Sequence, residues 1–141
     1  YLFGNLRAFY SRWRNVKMAI HVENLGDLAV ITCKGRIVGS AAVFKLRDVV
    51  LSQLHSGRTN VRTIALDLSE VTTMGGGGLG MLVYLRHWAG AQGIAFKLFS
   101  PSTPVVEGLV SNRSIQNFEI ASFHEMMDIL AHSDRRHELA A

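Results

Sequence analysis

The 141-residue chain carries one cysteine and two prolines. A lone cysteine, Cys33, excludes an intramolecular disulfide, so the fold rests on a packed core rather than on cross-links. Cys33 lies among apolar residues of a strand-like stretch, where a thiol is buried and inert rather than nucleophilic. The lack of disulfides makes the cytoplasm the default compartment. No run approaches the ~18 consecutive apolar residues of a membrane-crossing helix, and Tyr1 to Val16 lack the apolar run of a signal peptide. The chain also begins without Met, as a trimmed chain or a piece of a longer protein would. Charged residues are sparse at 18%, against 48% hydrophobic residues, the balance of one globular domain. The net charge of +4 gathers in the first stretch at Arg7, Arg12, Arg14 and Lys17. No basic patch follows between Met18 and Ala131, which argues against a nucleic-acid partner.

The pattern along the chain divides it into a basic, aromatic extension (1–16), a folded domain (17–131) and a polar tail (132–141). In the extension Leu6, Phe9, Tyr10 and Trp13 fall at helical spacing. They read as a short helix packed on the domain or on a second chain, or as a surface segment for an acidic membrane or partner. Met18, Ile20 and Val22 alternate with Ala19, His21 and Glu23, a half-buried strand. Leu28 to Lys34 is a second strand, joined to the first by a loop over Asn24 to Asp27 that is longer than two residues, and Gly35 ends it. Ser40 is positioned to cap a helix whose apolar face is Val43, Leu46, Val50 and Leu54, and Gly57 stops that helix. Thr63 to Leu68 reads as a strand buried on both faces. A helix follows from about Gly78 to Gln92, ended by Gly93. Its residues Leu79, Leu82, Val83 and Ala89 can face the sheet, while Met81, Tyr84, Leu85 and Trp88 form a second apolar stripe. Ile94 to Phe99 is another strand. Ser102 and Pro104 open a short helix, with Asn112 as its left-handed stop. Phe118 to Ala121 is a last strand. Ser122 and Glu125 form a capping box before a final helix that offers Met126, Met127, Ile129 and Leu130 to the core. Strands alternating with helices after an opening hairpin predict an α/β fold, with a mixed sheet of four to five strands and about four helices.

The stretch Ile64 to Leu82 is the most specific in the chain. Asp67, Leu68, Ser69, Val71, Thr72, Gly78, Leu79, Gly80 and Leu82 match, position by position, the central motif of the STAS domain family. In that family an apolar strand ends in Asp-Leu-Ser, and Asp-Ser-Ser-Gly-Leu-Gly opens a helix. Gly35-Arg36-Ile37, Ser100-Pro101-Ser102 and Phe118-Glu119-Ile120 resemble its flanking segments. The chain is therefore similar to the anti-sigma-factor antagonists over roughly Val16 to Ala131. The resemblance implies a non-catalytic module that binds a regulatory protein, here an anti-sigma factor or a relative of one. It also implies that the phosphorylated serine of the family's Asp-Ser-Ser-Gly falls at Gly77. The loop Gly75, Gly76, Gly77 and Gly78 is thus the phosphosite equivalent, and three of its positions depart from the family. Glycine has no oxygen to accept a phosphoryl group. A chain so altered is constitutively able to bind, or carries its regulation elsewhere. Thr73 is the candidate displaced acceptor, and Thr72 matches a structural position. An acidic position that the family often has is Val38 here. Val38, Gly39 and Ser40 on the neighbouring loop are expected to meet the partner, with Met81, Tyr84 and Trp88 beside them.

Other functions fit the residues less well. The glycine run precedes a helix whose free N–H groups attract anions, but Leu79-Gly80-Met81 stands where a phosphate-binding loop has Gly-Lys-Ser/Thr. A nucleotide-binding regulator is kept as an alternative. His124-Glu125-x-x-Asp128 has half of a zinc-protease pattern and lacks its second histidine. No residue calls for a metal, a cofactor or catalysis. A second alternative makes the chain an accessory subunit or domain of a membrane transporter, with an ATPase or permease as partner. Homodimerisation is open in either case.

Overall fold

The computed structural model describes the backbone of residues 18–55 and 61–140, with side chains of 18–54 and 61–132. The readings of Tyr1 to Val16 and of Gly57 lie outside the described residues. The first two strands, β1 (Ala19–Leu25) and β2 (Leu28–Ile37), form an antiparallel hairpin. Its register closes on Leu25 opposite Leu28, so the turn is only Gly26-Asp27, shorter than the spacing suggests. Gly26 at φ 60 takes the left-handed first turn position that a two-residue hairpin needs.

From β2 onward each strand connects through a helix to the next. The order is α1 (Ser40–His55), β3 (Thr63–Met74), α2 (Gly76–Ala91), β4 (Ala95–Phe99), α3 (Thr103–Ser111), a 3-10 turn (Ile115–Asn117), β5 (Glu119–Ala121) and α4 (Phe123–Ala140). The sheet order is β1-β2-β3-β4-β5, with β2 to β5 mutually parallel. Every crossover steps to the next strand in the same direction. Right-handed connections of that kind put their helices on one face. The main core accordingly joins α1 (Val43, Leu46, Val50), α2 (Leu79, Leu82, Leu85, Ala89) and α3 (Val105, Leu109) to Ile31, Cys33, Ile64, Leu66, Leu68 and Leu98. In a second cluster α4 lays Met126, Ile129 and Leu130 against Leu28, Ala65, Phe99 and Ala121. Ala65 alternates with Ile64 and Leu66 along β3, so this cluster covers the opposite face of the sheet. Among the described residues no helix is long and apolar enough to cross a membrane.

Several local expectations are corrected. Gly35 does not end β2; at φ 91 it sits in a register shift, and the strand continues to Ile37. β3 likewise runs on from Leu68 to Met74, because Glu70, Val71 and Thr73 stay paired with Lys34, Gly35 and Arg36. Ser40 is already helical, and the Gly39 carbonyl accepts the first helical bond from the Val43 N–H (3.2 Å). Asn112 keeps φ −87, and the left-handed residue after α3 is Arg113 at φ 55. Ser122 does cap α4: its Oγ accepts from the Glu125 N–H (3.2 Å). That helix extends to Ala140, through the stretch the sequence presents as a polar tail.

Candidate functional site

In a parallel sheet the loops after the strands gather at one pole. Here they are Val38-Gly39 after β2, Gly75 after β3, Ser100 to Ser102 after β4, and Ser122 after β5. The first two are tied together, since the Gly75 N–H donates to the Ile37 carbonyl (3.1 Å). The parallel pairing of β2 with β3 thus brings the glycine run and the Val38-Gly39-Ser40 loop side by side, although a whole helix and strand separate them in sequence. Gly39 holds φ 87, a conformation that favours glycine and lets β2 turn sharply into α1. Val38, Gly39 and Ser40 are all exposed, Val38 with 45% of its surface in solvent.

Helix α2 starts two residues earlier than its apolar periodicity indicates, at Gly76. Gly75 is its N-cap in extended conformation (φ −81, ψ 172), and no side chain caps it. The four glycines are not equivalent. A Cβ at Gly78 would lie 2.9 Å from Met74 Cγ, 3.1 Å from Ile37 Cγ2 and 3.3 Å from the Ile37 carbonyl. That position is buried under the β2 and β3 ends and needs glycine. A Cβ at Gly77 would meet only Val43 Cγ2 at 3.7 Å, one at Gly75 only the Ile37 carbonyl at 4.0 Å, and one at Gly76 nothing within 4 Å. None of these three has a positive φ. Neither space nor backbone conformation demands glycine at 75, 76 or 77, and Gly76 and Gly77 are exposed.

The remaining candidates divide. Tyr84 is exposed on the outer side of α2, whereas Met81 and Trp88 are half-buried. Leu85, which periodicity places in the same stripe, is fully buried, and Val83, placed toward the sheet, is exposed. The two positions exchange roles because the buried arc of α2 steps by three and four through Leu79, Leu82, Leu85 and Ala89. Thr73 is exposed near the end of β3, and Ser69 and Thr72 are exposed with it.

Chemically the Val38 and Gly75 loops of this pole are bare. No residue of Val38 to Val43 or Gly75 to Met81 ionises, so the two loops offer no acid, base or phosphate-binding cation. Cys33 on β2 lies fully buried, its thiol pushed up to about 12 by burial and secondarily by the charge of Asp67, which keeps it protonated and unreactive. The Asp67 carboxylate accepts from the Ser69 N–H (3.0 Å), holding the β3 backbone beyond the end of its pairing with β4. Ser102 is the N-cap of α3, and its carbonyl accepts from the Val106 N–H (3.0 Å), but its side chain makes no capping bond and its Oγ is buried without a partner. His124 and Asp128 face each other at 3.8 Å on an exposed helix surface. Among the described residues no cluster of His, Cys, Asp and Glu could hold a metal ion.

Comparison with known proteins agrees with this architecture. No curated protein matches in sequence. Among solved structures, the anti-sigma factor antagonist SpoIIAA in its unphosphorylated form superposes with a TM-score of 0.65 at 19% identity, covering 81% of this chain and 97% of that one. An anti-sigma factor antagonist from Mycobacterium paratuberculosis gives 0.67 at 14%, covering 82% and 95%. SLC26A9 gives 0.58 at 15%, covering 97% of this chain but only 27% of its own. The STAS domain family matches residues 19–134, and the chain belongs to that family.

Proposed function

We propose that the protein is a non-catalytic interaction module of bacterial signalling, an anti-sigma-factor antagonist type of STAS domain that has lost its phosphorylatable hydroxyl. The partner is an anti-sigma factor or a related regulator. It docks on Gly75 to Gly78 and Val38 to Ser40, with Tyr84 and the half-buried Met81 and Trp88 at the margin. The unforced glycine trio is the observation behind this reading. Residues 75 to 77 occupy a helix start with room for side chains, and the residues around them keep the family motif. A phosphate at that place would add about −1.5 to −2 charges to an uncharged surface. Its loss leaves the surface permanently in the unmodified state.

The test restores the acceptor. The native chain and a variant with Gly75→Asp, Gly76→Ser and Gly77→Ser are incubated with ATP and an extract of the source cells, and phosphopeptides are mapped. The reading expects phosphate at position 77 of the variant and none on Thr73 of the native chain. A variant that stays unmodified, or a native chain phosphorylated on Thr73, contradicts it.

A second reading, a transporter accessory domain, is favoured by one observation: the same fold occupies 27% of the larger SLC26A9 chain. Neighbouring genes for an ATPase and a permease would support it, and a neighbouring sigma factor or kinase would remove it.

A further inference from the structure

The two edges of the sheet differ. β5 is only three residues long, and a very short edge strand is a poor template for another. β1 has seven residues, with no proline, glycine or lysine among them, and among the described residues it pairs only with β2. Its register fixes which backbone groups are free. Leu25 and Leu28 close a two-residue turn, so they exchange both of their hydrogen bonds. The alternation of an antiparallel ladder gives the same exchange to Glu23 with Val30, His21 with Thr32 and Ala19 with Lys34. The N–H and C=O groups of Ile20, Val22 and Asn24 therefore point away from β2, along the open edge. Just before them, the Met18 carbonyl already accepts from Lys45 Nζ (3.5 Å). Ile20 and Val22 sit half-buried at the rim of the main core. His21 and Glu23 project from the other face of the strand. Their side chains are 69% and 65% exposed, with Nε2 3.3 Å from Oε1.

We propose that two copies of the chain pair antiparallel through β1, about a two-fold axis at Val22, so that their sheets become continuous. Val22 then faces Val22 of the second copy, Ile20 faces Asn24, and Ala19 faces Leu25. Every free N–H and C=O group of Ile20, Val22 and Asn24 gains a partner. His21 falls opposite Glu23 of the second copy, in a non-hydrogen-bonded pair, where facing side chains lie closest. Each imidazole stands between the carboxylate of its own chain and that of the other. The axis runs perpendicular to the sheet, so Ile20 and Val22 of both copies stay on the α1 side and their apolar rims join. Charge selects this register. Moving the axis by one residue sets His21 against His21 or Glu23 against Glu23, and like charges directly opposite destabilise a strand pair. This inference does not depend on the proposed signalling role.

The experiment uses the full chain. A seam of one strand from each copy is a small interface, so the dimer is expected to come apart on dilution. Sedimentation equilibrium over a dilution series that reaches millimolar chain should show a monomer passing to a dimer and nothing larger. Amide exchange followed by NMR at both ends of the series should slow several-fold on association for Ile20, Val22 and Asn24. His21 and Glu23, bonded to β2 in either state, should change less. His21→Glu puts a glutamate opposite Glu23 and should weaken the dimer at least tenfold. Adding Glu23→Lys restores an opposite pair and should recover the association. Both side chains are exposed, so neither change touches the core. A chain that stays monomeric throughout overturns the proposal. So does a dimer whose Ile20, Val22 and Asn24 amides exchange as in the monomer, growth beyond a dimer, association untouched by His21→Glu, or a loss that the double variant does not recover.

Discussion

Gly78 and its neighbours differ by what a single methyl group would touch. Gly78→Ala forces a contact under 3.0 Å with Met74 Cγ and a tight one with the Ile37 backbone. Overpacking of this kind costs about 1–3 kcal/mol, partly offset by helix propensity, so a net loss of about 1 kcal/mol is expected by urea unfolding. Gly76→Ala and Gly80→Ala meet nothing within 4 Å and should each stabilise by roughly 0.5–1 kcal/mol. If all three substitutions destabilised alike, the distinction between required and unforced glycines would be wrong. Cys33 gives a second residue-scale prediction. With its thiol pushed up to about 12 by burial and by Asp67, it should resist a thiol reagent at pH near 8 in the folded chain and react at once in denaturant. Rapid labelling of the folded chain would show that the site opens. The burial of Cys33 is legible from its apolar neighbours. The difference among the glycines is not, since it depends on Ile37 and Met74, two strand ends that only the fold brings to α2.

At the scale of the element, periodicity locates the strands and helices of the described residues, and the discrepancies fall at their ends. Gly35 looks like a stop, yet parallel pairing with β3 carries β2 past it through a register shift. The hairpin turn looks long because Asn24 suits a loop as well as a strand end, and only the register decides between them. On α2, Val83 and Leu85 exchange places, since an all-round apolar helix does not announce which arc is buried. The packing of α3 on α2 offers a test. A Cβ on Gly108 would come within 2.8 Å of Leu79 Cδ1, so the helices approach through that glycine. The contact is with the end of the Leu79 side chain alone, so the overpacking in Gly108→Ala is offset by about 1 kcal/mol of helix propensity, and Gly108→Ala should stabilise more in a Leu79→Ala background than in the native chain. Strict additivity in that double-mutant cycle would mean that the two residues do not touch.

For the whole molecule, the sheet with three helices on one face and α4 on the other turns the C-terminal ends of four parallel strands into one pole. The part of it formed by the Val38-Gly39 and Gly75 loops is uncharged, and the two loops are hydrogen-bonded to each other. The motif from Asp67 to Leu82 makes the family legible in sequence, because those residues combine a strand end, a backbone segment held by Asp67 and a close approach at Gly78. The partner is not legible, since glycines and a valine carry no recognisable ligand chemistry. Gly77→Glu is the informative substitution here: it enters a position with room for a side chain and places a carboxylate where the family carries phosphate. The central claim is that this pole binds a sigma-factor regulator with glycine at position 77. The decisive experiment is affinity capture from the source cells with the native chain and with Gly77→Glu in parallel, the eluates identified by mass spectrometry. An anti-sigma factor or related regulator is expected with the native chain, and at least a tenfold loss of it, about 1.4 kcal/mol, with Gly77→Glu. A transporter ATPase or permease in the eluate, or a regulator captured equally by both chains, would contradict the proposed role.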